Sequence, residues 1–344
     1  KLGLIFWDGW NRLLFFLGIS KLILFLKGRL VLCFRTGFFR ASCGGAISFA
    51  FGYFGTDFHG SQIQPEGIIT VQGEIQRVIE SLNWQPDNNS KILISSRTDS
   101  NVNARMNVGL VEIPERIWNG VKERGFLNAI NDQLLKSIIV WSAKEVNDAW
   151  NVRKAHRRTY RYRMNALKDW PLELDFERFS NILDIFVGEH DFTEFCRLDG
   201  DRSPIREVNS CVPWIQTNTD GVLEVIGFEI SSRSFLWNQV RRIANSILKI
   251  YNKQLDLSMV KESLMGNKQN LNVGSLDARW LTLWRLQFKE VEHEKINNDS
   301  NYYLERCPIP CDERIERIWQ MSAEKEQKSI LYKEWMKELA IRIL

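Results

Sequence analysis

A chain of 344 residues, 44% hydrophobic and 26% charged, is long enough for two modest domains with a sizeable core and is not of disordered composition. Its formal charge of +4 is unevenly placed: residues 1–45 hold seven Lys or Arg against one acid, Asp8, and the rest is slightly acidic. That excludes a globally basic nucleic-acid binder and leaves any acidic partner to local patches. Of six scattered cysteines only Cys307 and Cys311 lie close, and no second Cys or His pair answers them, so a zinc site is not expected and free thiols in a reducing cytosol are the default.

Residues 1–45 are basic and rich in aromatics, and residues 13–26 are strongly apolar apart from Lys21. Three readings compete: an interfacial or membrane helix, a targeting peptide, or a non-native extension such as translated upstream sequence, since the chain starts at Lys. The extension reading is favoured, and the segment is set apart from the fold. Residues 46–53 alternate and predict a strand. A turn rich in Gly and polar residues spans 55–67. Val71, Ile75, Val78, Ile79 and Leu82 then recur at helical spacing, with Thr70 as N-cap.

Residues 91–95 form a short apolar run that predicts a buried strand, and residues 106–113 alternate as a second. Between them Arg97, Thr98, Asp99, Ser100 and Asn101 make a polar turn. Asn101 tolerates positive φ, so a sharp turn just after Asp99 is expected. A carboxylate beside a guanidinium and a hydroxyl, on a loop held by two strands, is well placed for chemistry. Residues 126–134 predict a helix and 137–142 a strand. The first half therefore reads strand–helix–strand–strand–helix–strand.

The second half starts near Trp150 and repeats the style. Residues 159–164 alternate as a strand and 176–186 predict a helix. A hairpin is expected from residues 211–216 and 222–230, and a long helix over 235–251 carries Val240, Ile243, Ala244, Ile247 and Leu248 on one face. A short helix at 260–265 and a strand at 281–288 follow. The resulting fold class is α+β: two similar subdomains, 46–150 and 151–289, of mixed or antiparallel sheets flanked by helices, with a cleft where they meet. Residues 290–301 read as a charged linker. Residues 314–344 read as an amphipathic, charge-laced helix, either packed on the domain surface or making an RNA or partner contact.

Four stretches carry a family resemblance, in order. Arg97-Thr98-Asp99 with Val102 and Ala104 resembles the catalytic motif of the TruA family of tRNA pseudouridine synthases, commonly Gly-Arg-Thr-Asp-x-Gly-Val-x-Ala. Phe54-Gly-Thr-Asp-Phe-His-Gly-Ser-Gln-Ile-Gln64 with Thr70-Val-Gln-Gly-Glu74 resembles its N-terminal strand, turn and first helix. Arg158-Thr-Tyr-Arg-Tyr162 resembles its tyrosine strand, and Ser234-Phe-Leu-Trp-Asn-Gln-Val-Arg-Arg-Ile243 its late helix motif. The resemblance covers roughly residues 46–289. Ser96 stands where Gly is common, and Asn101 replaces a usual Gly. Asn103, Asn238, Gln239 and Asn245 also depart from the pattern.

Isomerising uridine to pseudouridine breaks the N1–C1′ bond and rejoins the base through C5. An ionised carboxylate can drive this as a nucleophile at C1′ or at C6 of the uracil, and no redox cofactor or metal is needed. The resemblance implies that Asp99 is that nucleophile and Arg241 the cation opposite it. A neighbouring cation favours the charged form of a carboxylate in a semi-buried cleft. It makes Tyr160 the residue that stacks on uracil and accepts the C5 proton, and Phe235 a pocket wall. Tyr160 and Tyr162 lie on one face of their strand, so periodicity does not separate them. Residues 153–163 hold six Arg or Lys and two Tyr, which suits phosphate contacts beside base stacking, with Arg153, Arg157 and Arg158 as RNA contacts. Arg202 and Arg206 add to the groove. Arg97 fills the space left by a flipped base or holds phosphates, and Gln62 and Gln64 contact RNA. The resemblance further implies uridines of the anticodon stem-loop, at tRNA positions 38 to 40, a homodimer that clamps tRNA, and a cytoplasmic enzyme. A non-catalytic RNA-binding protein or tRNA chaperone is the alternative, and it would have no need of the carboxylate.

Overall fold

The computed structural model describes residues 22–26, 29–33, 44–65, 67–85, 90–198, 200, 202–217, 221–294 and 313–343. Strands β1 (Leu22–Leu26) and β2 (Arg29–Cys33) pair antiparallel as a hairpin. They belong to a unit, Lys1–Cys43, separate from Gly44–Leu344. The end of the apolar stretch considered as a helix is thus a strand at 22–26, and the remainder of that stretch lies outside the described residues. No helix among the described residues is long and apolar enough to cross a membrane.

The alternation at the start of the second unit produces β3 (Gly44–Tyr53). Phe49, Phe51 and Tyr53 stack along one face. Ser48 and Gly52 point to the other, where Gly52 leaves room for the Trp335 indole: a Cβ there would lie 2.1 Å from its Nε1. Helix α1 (Val71–Ser81) starts at Thr70, whose hydroxyl accepts from the Gly73 amide at 3.2 Å. Strand β4 (Leu93–Ile94) is shorter than its apolar run, and β5 (Asn103–Pro114) is longer. Helix α2 runs Glu115–Asn131, well before the expected start, and is interrupted at Lys122, where φ is 50°. Strand β6 (Ile138–Val146) closes the first half.

The second half contributes β7 (Arg157–Arg163), α3 (Phe176–Asp184), β8 (Gly188–Asp191), β9 (Ile205–Thr217), β10 (Leu223–Ser232), α4 (Gln239–Tyr251), α5 (Leu257–Leu264) and β11 (Leu281–Gln287). α4 starts at Gln239 rather than at the expected residue 235, because Asn238 adopts φ 61°, a left-handed conformation that Asn accepts more readily than most residues. β11 inserts between β5 and β7, parallel to the first and antiparallel to the second. The order is therefore β6-β3-β5-β11-β7-β10-β9-β8, with β4 on β5, in one nine-stranded mixed sheet. The fold is α+β, a mixed sheet flanked by helices.

Helix α2 packs on β3, β5 and β6 with Phe126 against Phe49, and α1 packs on α2; α3 packs on β9, α4 on β7 and α5 on β8. The face opposite Phe49 is covered by α6 (Glu313–Ile343), which packs on β5 and β6 and buries Ala323, Ile330, Leu331 and Trp335. The segment read as a charged linker is pinned to that face at its start. His293, 1% exposed, bridges the hydroxyls of Ser48 (2.9 Å) and Ser142 (3.1 Å), and Glu294 pairs with Arg105 and Arg285.

Candidate active site

The loop between β4 and β5 is clamped to the turn after β3. Tyr53 Oη lies 2.8 Å from Thr98 Oγ1, Ser61 Oγ accepts from the Thr98 amide at 2.8 Å, and the Ser61 amide donates to the Thr98 carbonyl at 3.1 Å. Ser100 Oγ donates to the Phe58 carbonyl, and the Asn101 amide to that of Gly55. Gly55 is required by close approach: a Cβ would meet the Val102 carbonyl oxygen at 2.2 Å. Asn101 sits at φ 67°, the positive φ its residue type suggests. Asn103 ties the end of the loop to both halves, accepting from the Gly55 amide and donating to the Arg279 carbonyl. The result is a rigid turn that holds Asp99 half-buried.

Across from it stands Arg241, on the first turn of α4. Its Nη1 lies 3.6 Å from Asp99 Oδ2. From behind, Arg241 Nε donates to the Leu276 carbonyl at 2.8 Å and Nη1 to Asn238 Oδ1 at 3.1 Å. The guanidinium is thus positioned by its own half of the chain. Among the described residues no donor hydrogen-bonds the Asp99 carboxylate, which faces a cavity of about 540 Å³. That size falls within the range of roughly 300–1,000 Å³ typical of small-molecule sites. Asp99 is the sole acid among its described lining residues, against Arg97, Arg197, Arg202, Arg206 and Arg241.

Tyr160 forms the buried wall, its ring edge-on to Phe235 at 5.3 Å and 87°. Burial pushes its phenol well above the usual tyrosine range, against the pull of Arg158. Tyr53 is likewise pushed up by burial, to about 12. Tyr162 lies on the same strand face, but its hydroxyl donates to the Asp277 carbonyl at 2.8 Å, its ring stacks on Phe228, and it does not line the cavity. Three-dimensional packing separates the two tyrosines where strand periodicity does not.

A second cavity, of about 370 Å³, shares Gln62, Arg97, Tyr160, Arg202 and Phe235 with the first and adds Arg153 and Arg158. Arg158 is committed internally. Its Nε donates to Ser96 Oγ at 3.1 Å, and its Nη atoms donate to the carbonyls of Ala155, Arg153 and Arg233. Burial lowers its guanidinium from the ordinary arginine range. Arg157 is exposed and lines neither cavity. Two members of the basic run do not belong to any outer surface: Arg161 and Arg163 are 6% and 0% exposed on the opposite face, paired with Glu229 and Glu326 at 2.7 Å. The RNA footprint read along residues 153–163 is therefore smaller than its charge count.

The structure thus gathers Asp99, Tyr160, Arg241, Arg97, Phe235 and Gln62 around one cavity, with Arg153 and Arg158 in its extension. Sequence reasoning missed Tyr53, at the end of the first alternating strand, and Ser61, inside the Phe54–Gln64 motif, because neither shows in the sequence that it clamps Thr98. It also missed Arg197 and Trp237, both of which line the cavity. Among the described residues no group of three or more His, Cys, Asp or Glu could hold a metal ion.

A family profile described as tRNA pseudouridine synthase matches residues 182–289. The tRNA pseudouridine synthase A of Pyrococcus horikoshii is 32% identical over 255 residues, covering 72% of this chain and 88% of that protein. Those of Methanosarcina barkeri and Pyrococcus furiosus are 28% and 29% identical, over 79% and 74% of this chain and 94% and 87% of theirs.

Proposed function

The chain belongs to the tRNA pseudouridine synthase family, and from that membership we propose that it isomerises uridine to pseudouridine in the anticodon stem-loop of tRNA, at positions 38 to 40, with Asp99 as nucleophile. The observation that carries the assignment is the pairing across the cavity: Asp99 and Arg241 face each other at 3.6 Å from separate halves of the chain, beside the Tyr160–Phe235 wall. A half-exposed pair at this distance adds at most about 1 kcal/mol to stability, so folding energy is a weak reason for it.

The target base leaves its stack and enters the cavity. Asp99 either attacks C1′, expelling uracil as its anion, or adds to C6 of the ring. In both routes the N1–C1′ bond breaks, the base turns and C5 bonds to C1′; the bond from Asp99 to C1′ or C6 then breaks with its electron pair and returns the carboxylate, the C5 proton is lost to solvent and N1 takes one up. Atoms and electrons balance without a co-reactant. Arg241 supplies the countercharge opposite Asp99. Tyr160 and Phe235, in edge-on contact with each other, wall one side of the space in which the base turns. Burial opposes ionisation of the Tyr160 phenol, which favours stacking over proton acceptance as its role. Arg97, Arg153 and Gln62 take the RNA backbone around the mouth, while Arg158 acts mainly by holding the loop edge. Arg157, outside both cavities, is left with a peripheral phosphate contact.

In this reading residues 46–150 and 151–289 are two similar subdomains joined by β11, and the site lies in the cleft at that join. A homodimer clamping one tRNA, in the cytoplasm, completes the proposal. Tritium release from tRNA labelled at uridine C5 tests the reaction. Wild type should release label, and Asp99→Ala should lose activity by a factor on the order of 10⁴ or more while still binding tRNA. Release by Asp99→Ala at the wild-type rate would remove Asp99 as nucleophile. Binding without release by either protein would leave a non-catalytic RNA binder.

A further inference from the structure

The described tryptophans are buried or half-buried with one exception. Trp237 is 44% exposed, and it lines the cavity that holds Asp99. An exposed large aromatic inside a site is more informative than one on an open surface. It is not loose. The Arg197 guanidinium lies over its ring at 4.2 Å, the Arg197 amide donates to the Trp237 carbonyl at 2.8 Å, and the two residues form an isolated antiparallel bridge. Its neighbour Asn238 caps α4 in the left-handed conformation and holds Arg241. The ring is therefore backed by the Arg197 guanidinium and built into the same turn that places the Arg241 guanidinium opposite Asp99.

We propose that Trp237, backed by Arg197, is a base-stacking subsite at the mouth of the cavity, which takes the nucleobase next to the target uridine. Single-stranded bases stack on aromatic rings and on guanidinium planes, and every base offers a π face. Arg202 and Arg206, lining the same cavity, supply positive charge for the phosphates on either side. When the target base flips, its neighbour loses a stacking partner, and the indole replaces it. A platform already held in place costs little ordering on binding. Trp237 does no chemistry here. It is a positioning residue that sets which nucleotide sits over Asp99.

The inference rests on the proposed function for the identity of the RNA, so its test is a binding cycle that needs no turnover. The probes are an anticodon stem-loop transcript and versions with an abasic nucleotide on the 5′ or 3′ side of each loop uridine. Full-length wild type, Trp237→Ala and Trp237→Phe are compared by equilibrium binding. Base–aromatic stacking predicts a loss on the order of tenfold for Trp237→Ala on the intact RNA. One abasic position should weaken wild type by a similar factor and should leave Trp237→Ala unchanged. Trp237→Phe should recover most of the affinity and the sensitivity to that position. If every abasic RNA weakens Trp237→Ala by the same factor as wild type, no base sits on Trp237 and the inference falls. Equal binding of intact RNA by Trp237→Ala and wild type overturns it as well. Coupling without tritium release would sink the reaction but keep the subsite, whereas tritium release without coupling would do the reverse.

Discussion

Strand β7 separates two kinds of electrostatics on its two faces. Toward the cavity it presents Arg158 and Tyr160. Toward α6 it presents Arg161 and Arg163. On the cavity side Asp99 and Arg241 are 37% and 19% exposed, 3.6 Å apart, and each is held by its own half of the chain. On the α6 side Arg105 lies 2.6 Å from both Glu294 and Glu334, with all three side chains at most 7% exposed. Arg161 rests on the Trp284 ring at 4.0 Å, and Arg105 lies over the same indole at 5.2 Å. The dry face uses charge as structure, because a buried ion stripped of its partner is costly. The wet face keeps an acid and a base close but not bonded, which leaves both available to a third group.

The largest effect that would break this contrast is on the wet face. Arg241→Ala should lower kcat by about 10²–10³, the scale lost when one preorganised charge is removed from a reacting centre. Its stability should fall by no more than about 1 kcal/mol. Single-turnover rates and urea melts on the same preparation check both halves. A loss of several kcal/mol with an unchanged rate would make Arg241 part of the scaffold and erase the distinction. The dry face should behave in the opposite way. Glu334→Ala strips one of two carboxylates from Arg105 and should cost about 3–5 kcal/mol of unfolding free energy. The rate per folded molecule should stay near wild type. If urea unfolding shows less than about 1 kcal/mol, the pairing at Arg105 is incidental to the docking of α6.

What was legible in the sequence follows the range of the interactions involved. The order β3-α1-β4-β5-α2-β6 is written in local periodicity, and the Thr70 cap and the turn at Asn101 are written in local residue chemistry. The first half of α2 escaped because Lys122 breaks the helix there. Insertion of β11 between β5 and β7 escaped because no local pattern encodes which strands become neighbours. The same limit explains Arg161 and Arg163. In the chain they belong to a dense basic run that reads as an RNA footprint, and their acids, Glu229 and Glu326, lie far along the sequence. His293 hides likewise in a stretch whose composition reads as solvated linker. At the site, Asp99, Tyr160 and Arg241 were singled out by resemblance to family motifs; their residue types alone would not have brought them together. Trp237 stood in plain sight inside one of those motifs, but only its exposure and its contact with Arg197 distinguish it from a core aromatic.

The smallest effect sharpens the comparison within the basic run itself. If the faces differ as described, only arginines on the wet side can exchange counterions for phosphates. Each phosphate contact contributes about 0.7–0.9 to the slope of log affinity against log salt. Arg153→Gln, at an exposed residue lining the second cavity, should therefore lower that slope by nearly one and weaken tRNA binding a few-fold at physiological salt. Arg157→Gln, exposed but outside both cavities, should lower it by less. Arg161→Gln should leave the slope unchanged and appear in the urea midpoint instead, since its guanidinium is already bonded to Glu229 at 2.7 Å. Titrations at four or five salt concentrations separate these cases. Equal slopes for Arg153→Gln and Arg161→Gln would mean that RNA does not distinguish the exposed arginines of the basic run from the buried ones. The second cavity would then lose its place in the binding track, whereas a difference confined to Arg153 would place a phosphate beside it.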